Sequence, residues 1–380
     1  ENAAGLSGKT TLVVDDSGDT QARTATLTDG SLTGLAPASI QWIDYNSAGL
    51  GEGGVATLKV MGGRGADTWT VADAGASSVT ATVDTGGGND AVNVRSTAGF
   101  LYVNNPAGAD TVTVGSAAPG LGGNLAGING GIDVLGAGGT TLTVDDTSDT
   151  SPRTVTLNDD GKGDGSLAGL AASPIYWVDA PGSSGGVTAL RIIDGAGGDT
   201  INVLNTGRLT GGTTLTAGPG KDVVTVTGVT GALSLVNHAA PGSLFHFVVD
   251  TAADGAAVPA GSLSLRQAVA LANVVGTPAS PALIDFAPAA FSSPQTITLV
   301  AGELLINGSV NINGPVGPSG APLVTVSGGN LSRVFNVEGG ASGVDVTLRD
   351  LVLTGGLAGP SAANAPGTGG GLLVNDAGGY

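Results

Sequence analysis

The sequence contains no cysteine, only 3% aromatic residues and only 12% charged residues. Without cysteine the chain has no disulfides and no thiolate metal site. The balance of 31 acidic and 13 basic residues gives a formal net charge of −18. Because nucleic-acid backbones are bound by clustered Lys and Arg, this composition excludes nucleic acid as a partner.

Long apolar runs are also missing. No stretch of about 20 apolar residues occurs, so we expect no transmembrane helix and no direct insertion into a membrane. The sequence shows no signal-peptide pattern, and we expect both ends, Glu1 and Tyr380, to continue into a longer protein. An acidic, Thr-rich, cysteine-free surface suits a bacterial protein that is secreted or held at the cell surface.

Glycine and small apolar residues, in contrast, are abundant. Gly accounts for 68 residues without a strict triplet, which excludes collagen. The mean hydropathy is +0.28 because Val, Leu, Ile and Ala recur throughout, which argues against disorder. The composition predicts a thin core, repeated many times and filled by small and β-branched side chains.

Two copies of one long unit are visible, at residues 10–105 and 140–237. The clearest matches are Thr10-Thr-Leu-Val-Val-Asp-Asp16 with Thr140-Thr-Leu-Thr-Val-Asp-Asp146, and Ile40-Gln-Trp-Ile-Asp44 with Ile175-Tyr-Trp-Val-Asp179. The second pair of segments is offset slightly more than the first, and an insertion near 160–164 accounts for the difference. Internal repetition on this scale is typical of solenoids.

A shorter motif punctuates each copy: Gly, any residue, Asp, any residue, apolar, polar, Val. Its Asp residues recur at short and nearly regular intervals, which suits a turn of two or three short strands. The alternation after Asp is strand patterning, and the Gly two positions earlier suits a corner. We therefore predict a parallel β-helix, a β-solenoid rod on the order of 70 Å long. The Asp residues are Asp67, Asp90, Asp110, Asp199 and Asp222.

The pattern changes near residue 244, so we place one domain at 1–240 and a second at 241–380. After a strand-like segment at 244–250 comes a single helix, 264–273, where Ser264 and Gln267 fit a capping box. We expect this short helix to cap the open end of the second solenoid segment. Further strand-like runs follow at 295–299, 304–307, 310–313, 323–326, 333–337, 344–348 and 351–353.

This region resembles a known family. Ser264-Leu-Arg-Gln-Ala-Val269, between the Val-Val-Asp-Thr strand and Gln295-Thr-Ile-Thr-Leu299, is similar to the CSLREA-type entry region. That region precedes right-handed parallel β-helix repeats in large bacterial surface proteins, including relatives of polymorphic outer-membrane proteins. Here Leu263 stands in place of the motif's Cys, and Gln267 in place of its Glu. The resemblance, over 244–380, implies secretion and a β-helix, and it implies no activity.

Calcium is the one cofactor that the acidic residues suggest, and none is required. Gly62-Gly-Arg-Gly-Ala-Asp-Thr-Trp-Thr70 matches a calcium-binding nonapeptide. The motif returns only once per turn, however, so the alternative is a corner in which each Asp accepts backbone N–H groups. Candidate calcium ligands are the five Asp residues of the short motif and two loop clusters, Asp15, Asp16 and Asp19, and Asp145, Asp146 and Asp149. In the loops, the alternative is a turn whose charge is offset by Arg23 or Arg153.

The sequence favours a non-enzymatic structural or adhesive protein, a rod or a subunit of a surface fibre. Partners would be further copies joined end to end, neighbouring domains of a longer chain, or surface glycans. The alternative is a β-helix that binds or cleaves polysaccharides, with Trp42 and Trp177 as stacking candidates, although core packing suits both better. The Asp residues recur in every turn instead of forming one catalytic patch, so we predict no enzyme.

Overall fold

The computed structural model describes residues 8–45, 53–137, 139–179, 186–340, 343–358 and 369–375. Strands hold 46% of the chain and helix 4%, which confirms the predicted all-β solenoid class. The chain forms two compact units. The first comprises residues 1–197, 206–218 and 231–233, and the second comprises 198–205, 219–230 and 234–380. No helix in the described part of the chain has the length and apolar character that a membrane crossing needs.

The chain is built from short strands and one α-helix. In chain order the elements are β1 (Gly8–Asp15), β2 (Thr24–Thr28), β3 (Ser31–Thr33), β4 (Ile40–Gln41), β5 (Gly53–Met61), β6 (Thr68–Val71), β7 (Thr80–Asp84), β8 (Ala91–Val94), β9 (Phe100–Asn105), β10 (Ala109–Val114), β11 (Ile132–Gly136), β12 (Gly139–Asp145), β13 (Thr154–Asp159), β14 (Asp164–Ala168), β15 (Ile175–Val178), β16 (Gly186–Ile193), β17 (Thr200–Val203), β18 (Gly212–Ala217), β19 (Val223–Val226), β20 (Leu233–Asn237), β21 (Leu244–Val249), α1 (Leu265–Val275), β22 (Ala282–Phe286), β23 (Gln295–Thr298), β24 (Leu304–Ile306), β25 (Val310–Asn313), β26 (Val324–Ser327), β27 (Phe335–Glu338), β28 (Val346–Arg349), β29 (Leu351–Thr354) and β30 (Leu372–Asn375).

The first unit coils between two sheets. Sheet I has the order β1-β5-β7-β9-β11-β15-β14-β13, and sheet II has the order β18-β16-β12-β10-β8-β6-β2-β3-β4. The chain alternates between them from β5 to β12, so each turn holds one strand of each sheet. Thr68 pairs with Ala91 and Ala91 with Thr111, each one turn further along the chain. Each motif Asp directly precedes one of these paired residues, so the turn lengths are those that the Asp spacing predicted.

Period-two alternation fills the interior of this coil with stacked apolar side chains. In β6, Trp69 and Val71 point inward, and both are fully buried. The next two strands of sheet II place Val92, Val94 and Val112 at the corresponding positions, and they are also fully buried. Each such valine contributes roughly 1.5–3 kcal/mol of hydrophobic stabilisation, so the thin core is effective through repetition.

Two antiparallel hairpin inserts interrupt the parallel pattern, and the sequence analysis did not predict them. Strands β2, β3 and β4 pair antiparallel, as do β13, β14 and β15. The first hairpin turns at Asp29-Gly30, where Gly30 has a φ of 73° that suits a tight turn. The insertion predicted near 160–164 lies in the longer turn between β13 and β14.

Where both sequence copies lie in the first unit, corresponding strands of the two copies belong to different sheets. Strand β1 belongs to sheet I and its counterpart β12 to sheet II. Strands β2–β4 belong to sheet II and β13–β15 to sheet I, and β5 and β16 are exchanged in the same way. The long repeat therefore spans a half-integral number of turns. Equivalent side chains of the two copies face opposite sides of the coil.

The second unit contains one long row of parallel strands, and its later turns hold three strands each. Sheet III has the order β17-β19-β21-β22-β25-β28, sheet IV β23-β26-β29 and sheet V β24-β27-β30. From β22 onward the chain visits III, IV and V in turn, and Ile284 pairs with Ile312 one full turn later. The later turns of this unit are therefore longer than those of the first unit.

Helix α1 stands between β21 and β22. The Ser264 capping box with Gln267 is present, as predicted. The helix lies against β24, the first strand of sheet V, where the Asn273 side chain donates to Leu305 O (2.8 Å) and accepts from Asn307 N (2.9 Å). It therefore covers the open edge of one sheet. Sheet III runs on beside it, because β21 pairs directly with β22, so α1 does not close the end of the unit.

Candidate functional site

Asp67, Asp90 and Asp110 form a vertical row in the first unit, the aspartate ladder. Each precedes an inward-facing residue by two positions, so period-two alternation turns its side chain into the coil beside Trp69, Val92 or Val112. Their exposed fractions are only 2%, 2% and 1%. The predicted stacking of these residues is present, but their carboxylates lie inside the coil.

Backbone donors from the neighbouring turn hold the ladder. Arg23 N donates to Asp67 Oδ1, Asp67 N to Asp90 Oδ1, and Asp90 N to Asp110 Oδ1, each at 2.7 Å. A corner in which each Asp accepts backbone N–H groups was one of the two alternatives for these residues, and here the donor comes from the neighbouring turn each time. Each carboxylate thus helps to fix the spacing and register between two turns.

Uncharged polar side chains line the same interior corner. Thr85, Asn105 and Thr140 are fully buried, and together with the aspartate ladder they form what we call the polar seam. Thr85 Oγ1 lies 3.3 Å from Asn105 Oδ1, and Asn105 Nδ2 donates to Thr140 Oγ1 at 3.0 Å. The coil therefore carries a hydrophilic edge inside an otherwise apolar core.

The second oxygen of each ladder carboxylate is buried and has no hydrogen-bond partner. Burial raises the pKa of Asp90 to about 6, against the lowering effect of its bond from Asp67 N, and the charge of Asp110 adds to the rise. Burial also raises the pKa of Asp110. In the described part of the first unit, no three acidic side chains bring ligand oxygens within 4.8 Å of one another. A cation at the ladder would therefore be shared by two carboxylates at most.

The equivalent Asp residues of the second copy lie in the second unit. Asp199 N donates to Asp222 Oδ1 at 3.0 Å, and Asp222 N donates to Ser243 Oγ at 3.0 Å. Burial raises the pKa of Asp222 to about 6, although the Asp199 bond opposes it. Ser243 thus occupies the third ladder position, which the sequence analysis missed. The sequence feature that could have identified Ser243 is its position one turn after Asp222, directly after Gly242 and before a strand.

The first acidic loop is a turn with local donors. Asp15 Oδ1 accepts from Ser17 N and Oγ (3.0 and 2.6 Å), which lowers the pKa of Asp15. Asp19 accepts from Gln21 N and from Arg23, and these contacts lower its pKa as well. The charge of this loop is therefore partly offset by Arg23, which forms an ion pair with Asp19. Asp16, in contrast, keeps one buried oxygen without a partner.

In the second acidic loop, a neighbouring segment supplies the donors. Asp145 Oδ2 accepts from Gly123 N (2.7 Å), and Asp146 Oδ1 accepts from Leu125 N (2.9 Å). Arg153 Nε donates to Asp149 Oδ2 at 2.6 Å. Burial alone would raise the pKa of Asp149, but the bonds from Arg153 and Ser151 outweigh it and lower that pKa. The oxygens named here are thus engaged by the protein itself.

Two carboxyl pairs at the hairpin inserts escaped the sequence analysis. Asp29 and Asp44 share a hydrogen bond, which together with burial raises the pKa of Asp29 to about 6. Asp44 is held by Trp42 Nε1 and Ala76 N, each at 2.7 Å. The repeat places Asp159 and Asp179 at the equivalent positions, and burial raises the pKa of Asp159 to about 6. The signal was the equal position of each pair in the two copies.

The two candidate stacking tryptophans have different roles. Trp177 is 1% exposed and belongs to the core. Trp42 is half-buried and uses its indole N–H on Asp44. An open groove of about 550 Å³ lies elsewhere on the first unit, along the Gly-rich corner that includes Arg64 and Asp84. Neither tryptophan lines that groove.

Comparison of the chain with protein-family models, with curated proteins and with solved structures finds no match.

Proposed function

We propose that this chain is a non-enzymatic structural or adhesive segment of an extracellular protein, a stiff β-solenoid that holds other parts of a surface assembly apart. The observation that supports it best is the bond from a backbone N–H to an Asp Oδ1 in the next turn, repeated at 2.7 Å three times in succession. Aspartate side chains, which often act in catalysis or metal binding, here fix the spacing between turns.

The interior supports the same proposal. A typical intramolecular hydrogen bond contributes about 0.5–1.5 kcal/mol, and the ladder has one at each of its turns. The stacked valines add their own share in every turn. Because each turn is stabilised by its neighbours, the stability of the coil rises with the number of turns. Such a segment suits a spacer or fibre that must keep its form outside the cell.

The partners proposed are neighbouring domains of a longer chain or further copies. Turns of the first unit hold two strands, and the later turns of the second unit hold three. Neighbouring coil of a longer chain would continue such turns, and fibres formed by further copies stacked end to end belong to the same proposal.

Electron microscopy and hydrogen exchange test this function together. We expect elongated particles or ordered fibres, and slow exchange at the Asp67 and Asp90 amides, which the ladder bonds protect. The exposed turn at Ser17 serves as the fast-exchanging control. Compact particles combined with rapid exchange at the ladder amides, or turnover of polysaccharides in a lyase and hydrolase screen, would contradict the proposal.

A second candidate function, glycan binding, is favoured by one surface feature. Tyr102, Asp133 and Tyr176 lie side by side on three neighbouring strands of sheet I, and all three face outward. The Phe100 ring packs against Tyr102 with ring centroids 4.8 Å apart. Aromatic faces with polar tips beside a carboxylate suit the faces and hydroxyls of sugars. This row supports an adhesive form of the structural proposal.

A glycan array measures this directly. If the row binds sugar, changing Tyr102→Ala and Tyr176→Ala together is expected to lower binding at least tenfold, because both stacking faces are lost. Val352→Ala, an exposed strand position of the second unit, is the matched control and should leave binding unchanged. Absence of any glycan signal from the parent chain, or equal binding by the double variant, would reject this candidate.

A further inference from the structure

We propose that the first unit binds a calcium ion inside its coil, between Asp90 and Asp110, with Asn105 and Thr85 as additional oxygen ligands. This inference goes beyond the structural function and does not depend on it. It rests on the polar seam, whose members are brought together from successive turns.

The first step is the state of the two carboxylates. Asp90 and Asp110 are 2% and 1% exposed, and in each the Oδ2 atom is buried without a hydrogen-bond partner. The Thr85 hydroxyl lies near Asp90 and favours its charged form, but Asp110 Oδ2 has no such neighbour among the described residues. None of the ion pairs in the described part of the chain involves either residue. Buried carboxylates are normally paired or bound to a metal, so the seam lacks a positive charge.

The second step is the choice of ligand atoms. Asn105 donates its amide N–H to Thr140 Oγ1 at 3.0 Å, and its Oδ1 accepts from Thr85 Oγ1 at 3.3 Å and keeps a second lone pair. Two carboxylates, an amide oxygen and a hydroxyl form an all-oxygen set. Hard cations prefer such sets, and calcium tolerates their irregular geometry better than magnesium does.

The third step is distance. Asp90 directly precedes β8 and Asp110 lies at the equivalent position of β10, since Ala91 pairs with Thr111. Neighbouring strands are about 4.8 Å apart. Calcium binds oxygen at about 2.3–2.6 Å, so two ligands on opposite sides of one ion lie about 4.6–5.2 Å apart. The strand spacing therefore matches the span of a single calcium ion.

The neighbouring step of the ladder is less suitable. The position equivalent to Thr85 and Asn105 in the preceding turn is Gly62, because Met61 pairs with Asp84. Among the described residues, the interval between Asp67 and Asp90 therefore lacks a counterpart of the Thr85–Asn105 pair, and the interval between Asp90 and Asp110 is the better equipped of the two.

The test uses the whole chain, freed of metal by unfolding and refolding in EDTA and then refolded with 1 mM CaCl₂ at pH 7.5. After dialysis we expect about one calcium per chain by elemental analysis and an apparent Tm about 5–10 °C above that of the metal-free chain. With MgCl₂ the shift should be smaller. The Asp110→Asn variant, which keeps the Oδ1 acceptor for Asp90 N, should lose both the bound calcium and the shift.

The Asp84→Asn variant is the control. Asp84 lies in the same turn, half-buried, and accepts from Asn104 Nδ2 at 3.0 Å outside the seam. It should retain calcium and the full Tm shift. A parent chain that holds no calcium and shows no shift would overturn the proposal. An Asp110→Asn variant that responds like its parent would place any bound calcium elsewhere and would overturn the proposal equally. Neither result depends on whether the chain forms rods or fibres.

Discussion

Lowering the pH from 7.5 to 5 in calcium-free buffer is expected to raise the free energy of unfolding of this protein. Most acidic proteins lose stability on acidification, because their carboxylates are paired in the folded state. Here several carboxylates are buried next to one another, and burial favours the protonated form. The folded chain therefore takes up protons more readily than the unfolded chain does.

The direction of this change in the free energy of unfolding follows from three buried residues. Asp90, Asp159 and Asp222 have a folded-state pKa of about 6, against 3.8 for an ordinary Asp. Their contribution to stability is complete below about pH 3.8 and is lost as the pH rises through about 6. Each contributes on the order of 1–3 kcal/mol between pH 7.5 and its acid limit, since one pKa unit corresponds to about 1.36 kcal/mol.

Other carboxylates determine the pH below which stability falls again. The pKa of Asp254 is lowered because its bonds to Arg266 and to Val300 N outweigh its burial, and the pKa of Asp149 is lowered by Arg153 and Ser151. Stability from these groups is lost only as the pH falls below about 4. The stability maximum is therefore expected near pH 4.5–5.5.

Urea unfolding in EDTA at pH 7.5 and pH 5 measures the effect. The Asp90→Asn variant, which removes one of the buried charges, should gain stability at pH 7.5 and show a smaller difference between the two pH values. Asp84→Asn is the control and should keep the parent's pH dependence. A parent chain that unfolds more easily at pH 5 than at pH 7.5 would refute this account of the buried carboxylates.

The sequence contained the information that the ladder points inward. Asp67, Trp69 and Val71 have the same parity, so a strand that buries the tryptophan and the valine also turns the carboxylate into the coil. The Gly-x-Asp pattern by itself predicts a corner whose Asp accepts backbone N–H groups, and it leaves open the direction of the side chain. The spacing of the residues was predictable, whereas their inward orientation required parity to be weighed above composition.

Other features depended on contacts that a linear pattern does not encode. Asp29 and Asp44 are well separated in the sequence, and the antiparallel hairpin insert is what brings their side chains together. The exchange of sheets between the two copies depends on the number of strands in the long repeat. That number could not be counted from the sequence, because the short hairpin strands were not predicted. Similarly, the strand-like runs after α1 were recognised, but their arrangement in three sheets was not.

A glycine stands two positions before each ladder aspartate, and at Gly108 the backbone and the space beside it both require glycine. Gly108→Ala is expected to destabilise the first unit by about 3–5 kcal/mol. Gly108 has a φ of 118°, which an L side chain rarely adopts. A Cβ at this position would lie 1.5 Å from Gly88 O in the preceding turn. Because both atoms belong to backbone, the turns must separate, and the bond from Asp90 N to Asp110 Oδ1 would be lost with them.

Gly87→Ala provides the matched control from the same corner. A Cβ on Gly87 would have Arg64 Cα at 3.9 Å as its nearest neighbour, and its backbone lies outside the left-handed region. We expect a change of less than about 1 kcal/mol in urea unfolding, since substitution at a compatible glycine mainly restricts the unfolded chain. Hydrogen exchange should then show loss of protection at Asp90 N in Gly108→Ala alone. Equal destabilisation by the two variants would mean that the close approach of successive turns at Gly108 does not govern the stability of the coil.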